Sequence, residues 1–90
     1  MQKRVTLKIY GMVQGVGFRY SSQKEAKKRG FSGHVKNLDD GSIGLIVEGE
    51  ESDLQNFIQW CYNGVGPAMV TKIEPNWSVA TGEFSDFRIS

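Results

Sequence analysis

Cysteine and histidine are almost absent from this chain of 90 residues, which holds one of each. A lone Cys61 cannot close an internal disulfide. One cysteine and one histidine also give no cluster at ligand spacing for zinc or another structural metal. Proline occurs twice, and neither a linker nor a low-complexity tract divides the chain. Charge of one sign is lacking as well, because 11 Lys and Arg against 10 Asp and Glu leave a net charge of +1. That balance withholds the broad basic footprint of a nucleic-acid binder or a membrane-surface protein. No apolar run approaches membrane-spanning length, and Met1 to Arg4 leads straight into a strand pattern instead of a secretory leader. The expectation is one cytoplasmic, monomeric domain over residues 1–90, without metal, cofactor, nucleic acid or membrane. A domain of this size buries roughly 60 to 65 per cent of its unfolded surface, enough to fold around one core.

The apolar periodicity then places the elements. Val5, Leu7 and Ile9 alternate with Thr6, Lys8 and Tyr10, the period of a half-buried first strand. Residues 19–29 predict a helix stopped by Gly30, with Phe18, Ser22 and Ala26 as the stripe that lies on a sheet. Lys27, Lys28 and Arg29 fall in its last turn, where cations complement the helix dipole. Phe31 to Leu38 reads as a second strand and Asp40-Gly41 as a tight turn into a third, where Ile43, Leu45 and Val47 alternate. Ser52 and Gln55 form a capping box that opens a second helix through Leu54, Phe57, Ile58, Cys61 and Tyr62, closing near Gly64. Cys61 sits on that apolar face as a core residue. The loop Val65-Gly66-Pro67 leads to a fourth strand, Val70 to Ser78, which Pro75 marks as an edge because proline cannot donate to a ladder. A short last strand, Phe84 to Ile89, extends the sheet or tucks under it. The order βαββαβ predicts an α+β, ferredoxin-like sandwich: an antiparallel sheet in spatial order 4-1-3-2 with two helices on one face.

Glycine, by contrast, is plentiful at 11 residues, and the informative ones lie in Gly11-Met12-Val13-Gln14-Gly15-Val16-Gly17-Phe18-Arg19. A strand here runs into a glycine loop and then a helix, the layout of a phosphate cradle. Gly15 and Gly17 permit the positive φ that lets backbone N–H groups converge, and the helix start adds its own free donors. Arg19 stands near the positive end of the helix dipole, where a cation is mildly disfavoured, which suits an anionic ligand that both charges serve. In the expected topology strands 1 and 2 run the same way, so the cradle and Asn37 meet at one edge of the sheet. With one strand between them their axes lie about 10 Å apart, a gap that Arg19 and Asn37 can bracket around a phosphoryl group. Asparagine just before Asp39-Asp40-Gly41 also suits plain turn chemistry. His34 falls on the opposite strand face, away from Asn37.

Gly11-x-Val13-Gln14-Gly15-Val16-Gly17-Phe18-Arg19, followed by Gly33-x-Val35-x-Asn37-x-x-Asp40-Gly41-Ser42-Ile43, resembles the two signature motifs of the acylphosphatase family, and the likeness extends over essentially the whole chain. The resemblance implies a metal-free hydrolase that cleaves small acyl phosphates to a carboxylate and inorganic phosphate. It implies that Arg19 binds the phosphoryl group with the amides of the loop Gln14, Gly15, Val16, Gly17, Phe18 and Arg19, and that Asn37 orients the attacking water. His34 stands where many relatives carry a large aromatic, and Tyr20 follows the arginine at a variable position. Other readings fit less well. An RNA-recognition module of this topology needs stacking aromatics on its third strand, and Ser42 to Gly49 contains none. A Walker loop needs Lys-Ser or Lys-Thr after its glycines, and a dinucleotide fold needs a parallel sheet. A domain of the same fold that binds an anion without turnover is the alternative that intact Arg19 and Asn37 argue against.

Overall fold

The computed structural model describes residues 1–63 and 66–90. Its elements are β1 (Gln2–Met12), α1 (Phe18–Lys28), β2 (Ser32–Asn37), β3 (Ile43–Glu50), α2 (Glu51–Asn63), β4 (Met69–Val79) and β5 (Phe87–Ile89). The expected α2 stop at Gly64 and the Val65 part of the following loop lie outside the described residues. One sheet has the order β4-β1-β3-β2-β5. Its first four strands pair antiparallel in the expected 4-1-3-2 order, while β5 pairs parallel to β2. The sheet is therefore mixed, and the last strand extends it instead of tucking under it.

Alternation decides which face is covered. Val5, Leu7 and Ile9 of β1, Val35 of β2, and Ile43, Leu45 and Val47 of β3 form one buried cluster with Phe18 and Ala26 of α1 and Leu54, Phe57 and Cys61 of α2. Both helices thus share one face of the sheet, and each strand turns its intervening residues to the other. Phe31, just before β2, meets Phe57 edge-on with ring centroids 5.5 Å apart, tying the start of that strand to α2. Pro75 lies in β4, an edge strand, as its missing donor requires.

Two local expectations change. α2 begins at Glu51, directly after β3, so Ser52 lies inside the first turn and not at the cap. The Glu51 N–H donates to the Met1 carbonyl at 3.3 Å, so the main chain just before β1 satisfies one of the donors at this helix start. β5 is shorter than Phe84 to Ile89, because residues 80–86 are used in crossing from β4 at one sheet edge to β5 at the other. That crossing is held on the helix-free face. Glu48 of β3, 5 % exposed, accepts from the Thr81 and Gly82 N–H groups at 2.9 and 3.0 Å and from Arg4 Nε at 2.7 Å. Arg4 also pairs with Glu83 and lies 5.3 Å from the centre of the Phe84 ring.

Candidate active site

Two segments far apart in sequence close one cleft. β1 ends at Met12 and residues 13–17 turn the chain into α1. Gly15 and Gly17 have φ of 76° and 82°, in the left-handed region where any side chain is strained. Gly17 is the N-cap of α1 and carries no side-chain cap, so the first N–H groups of the helix are free to face a ligand. Phe18, buried in the core, anchors this turn. Gly15, Gly17, Phe18 and Arg19 line a cleft of about 170 Å³, and Asn37, the last residue of β2, lines it from the sheet side. Sheet order puts β3 between β1 and β2, and Asn37 shares the face of Val35.

Arg19 is set by a stripe of α1 that runs along β5. Arg19, Gln23 and Lys27 recur every four residues, one side of a helix. Gln23 Nε2 donates to the Phe87 carbonyl at 2.9 Å, Lys27 lies 3.8 Å from Asp86, and Arg19 Nη1 donates to the Ser90 carbonyl at 2.5 Å. No side-chain carboxylate among the described residues comes within ion-pair distance of Arg19. Its guanidinium is therefore held in place by a main-chain oxygen of Ser90 and not by an Asp or Glu side chain.

Gln14 does something that its place in the loop does not announce. Its Nε2 donates to the Leu38 and Ser42 carbonyls at 2.8 and 2.9 Å, so its side chain turns from the cleft and clamps the cradle loop to the β2–β3 turn that follows Asn37. That turn is firm in itself, since Asp40 Oδ1 accepts from the Ser42 N–H at 3.0 Å and from its hydroxyl at 2.5 Å. Asp40 Oδ2 lies 2.9 Å from Lys8 Nζ. The Ser42 hydroxyl above all, and then Lys8, hold the Asp40 carboxyl well below the usual carboxylate range.

Tyr20 and Ile89 line the cleft as well. The sequence offers no local sign of the part played by Ile89 and Ser90, because it depends on which strand β5 joins. His34 lies on the helix-free face, where its Nε2 meets Ser90 Oγ at 2.5 Å, the side chain of the same residue whose main-chain oxygen takes Arg19. Cys61 is fully buried in α2, and burial pushes its thiol up to about 12, so it holds no reactive thiolate at neutral pH.

Known proteins share the sequence and the fold that carry this cleft. The acylphosphatase family model matches residues 5–89. A curated acylphosphatase of Geotalea uraniireducens is 44% identical over 90 residues, covering 100% of this chain and 99% of that one. The crystal structure of acylphosphatase from Bacillus subtilis superposes with a TM-score of 0.93 at 40% identity, covering 98% of both chains. An acylphosphatase structure from Coxiella burnetii gives 0.90 at 30% identity, covering 99% of this chain and 93% of that one. By sequence over nearly its whole length and by fold, the chain therefore belongs to the acylphosphatase family: it is a hydrolase of acyl phosphates.

Proposed function

We propose that the cleft hydrolyses the carboxyl–phosphate bond of small acyl phosphates with Arg19 and the main-chain amides of residues 14–19 holding the phosphoryl group and Asn37 orienting water. The observation that carries this reading is that Arg19 and Asn37, supplied by α1 and β2, line one cleft with Gly15 and Gly17. The guanidinium offers a planar fork for two phosphoryl oxygens, and the free amides of the helix start can cover others. The carboxamide of Asn37 accepts from the water through its carbonyl and donates through its NH₂. Water oxygen attacks phosphorus, the bond from phosphorus to the acyl oxygen breaks, and that oxygen leaves as a carboxylate. The water proton passes to a phosphoryl oxygen of the substrate itself, because asparagine is no strong base. A good leaving group lets this loose displacement proceed by positioning and charge stabilisation, without a metal or a nucleophilic side chain.

The balanced surface charge supports a monomer that acts without a nucleic-acid or membrane partner, and a buried, unpaired Cys61 suits the cytoplasm. The test incubates purified protein and chelator with acetyl phosphate, benzoyl phosphate and a phosphomonoester. Acyl phosphates turn over and the monoester lags by orders of magnitude. Equal rates on both classes, or activity that chelator removes and added metal restores, overturn the mechanism.

A further inference from the structure

Tyr20 and Ile89 are the large exposed side chains with apolar surface at the cleft, where Val13 and Phe18, the other apolar lining residues, are buried. Tyr20 is 65% exposed and Ile89 38% exposed, and both line the cavity that holds Arg19 and Asn37. Each has a structural reason to face it. Ile89 pairs with Val35 in the parallel β2–β5 ladder and shares a strand face with the buried Phe87 two residues before it, so it points to the helix side of the sheet, the side of Asn37. Tyr20 follows Arg19 in the first turn of α1. Helical side chains lean toward the N-terminus of their helix, which carries this ring back over the glycine loop on the solvent side of Arg19. The two thus flank the arginine.

Size decides what they can meet. A cavity on the order of 150 Å³ holds one benzene ring, so a cleft of about 170 Å³ that has taken up a phosphoryl group has little room left for the rest of the substrate. The acyl group must lie at the mouth, against the residues that flank it. Resting on the hydrolysis proposed above, we infer that Tyr20 and Ile89 form the wall that receives the acyl group, and that the enzyme therefore favours acyl phosphates with a large apolar, above all aromatic, acyl group over acetyl or carbamoyl phosphate. An aryl group stacks on the Tyr20 ring and removes apolar surface of Ile89 from water. A methyl group beside the reacting carbonyl is too short to cover either. The contact is made equally in ground and transition states, so it acts on KM.

The experiment compares kcat and KM for benzoyl and acetyl phosphate in the wild type, Tyr20→Ala, Tyr20→Phe, Ile89→Ser and the Tyr20→Ala/Ile89→Ser double variant, each checked for folding by thermal melting. The wild type should favour benzoyl phosphate in kcat/KM by about 10-fold or more. Tyr20→Ala and Ile89→Ser should each cut that ratio through KM for the benzoyl substrate, and the double variant should bring it near one. Tyr20→Phe keeps it, because the ring suffices. An unchanged ratio in the folded double variant, or a wild type without preference, overturns the acyl wall and leaves the hydrolysis standing. Failure to cleave either acyl phosphate instead overturns the hydrolysis, and the wall with it.

Discussion

At the scale of single residues, Arg19 and Asn37 differ in what they touch before reaction. No Asp or Glu side chain among the described residues pairs with Arg19, and in the role proposed for it Arg19 attracts phosphate in the ground state and also steadies the charge of the transition state. Asn37 is exposed at the strand end and neutral. Assigned to the water, it matters little for a bound phosphate product. Arg19→Ala is therefore expected to weaken inorganic phosphate binding and to remove turnover by about 10³-fold, with Arg19→Lys little better, since an ammonium loses the planar fork. Asn37→Ala should lower kcat by about 100-fold while phosphate still binds, the mark of an interaction made mainly in the transition state. Steady-state kinetics and phosphate titration of the folded variants separate the two. Near-normal kcat in Asn37→Ala, or loss of phosphate binding as complete as in Arg19→Ala, rejects the water role.

Elements bring these residues into register, and the contacts that do so lie outside the cleft. Gln14 ties the glycine loop to the β2–β3 turn through two carbonyls, so it couples that loop to the strand end that carries Asn37. A displacement of about 1 Å between such groups can cost up to about 100-fold in rate. Gln14→Ala should accordingly lower kcat/KM by at least about 10-fold while costing only about 1 kcal/mol of stability, since both acceptors can turn to water. Kinetics alongside urea unfolding checks the pair. A loss of stability with unchanged kcat/KM would reduce Gln14 to a loop staple. The stripe of Arg19, Gln23 and Lys27 does the corresponding work on the other side, joining α1 to β5.

Over the whole molecule, one buried carboxylate, Glu48, holds the segment that leads to β5. Burial by itself would raise the Glu48 pKa, but the Thr81 and Gly82 N–H groups, Arg4 and the Thr81 hydroxyl outweigh it and bring the group down to about 2. A folded pKa below the unfolded one contributes stability above the unfolded value, near ~4.3, and that contribution is lost as pH falls through about 2. It amounts to the order of 2 to 3 kcal/mol at neutral pH. Glu48→Gln should therefore lower stability at pH 7 and flatten its decline between neutral pH and pH 2. Urea midpoints across that range measure both effects, and equal slopes for the two proteins would show that Glu48 is not the acid-sensitive group.

Much of this was legible in the residues themselves. Alternation in Val5, Leu7 and Ile9 and in Ile43, Leu45 and Val47, with the stripe of Leu54, Phe57 and Cys61, determines which faces are buried, because water drives apolar side chains together whatever the global arrangement. Glycine at 15 and 17 marks the cradle for an equally local reason, a backbone conformation that L side chains resist. Pro75 marks an edge strand through a missing donor. What depends on partners distant in the chain was not written locally. A serine and a glutamine at helix-start spacing read as a capping box, yet α2 starts at Glu51, whose N–H donates to the distant Met1 carbonyl. The sequence of β5 does not say which strand it joins or in which direction. Glu48 and Arg4 hold the 80–86 crossing, and β5 lies parallel to β2 and brings Ser90 to Arg19 and Ile89 to the cleft. Side-chain patterning is set by neighbours along the chain, whereas strand pairing and cross-sheet contacts are set by groups that meet only once the fold has closed.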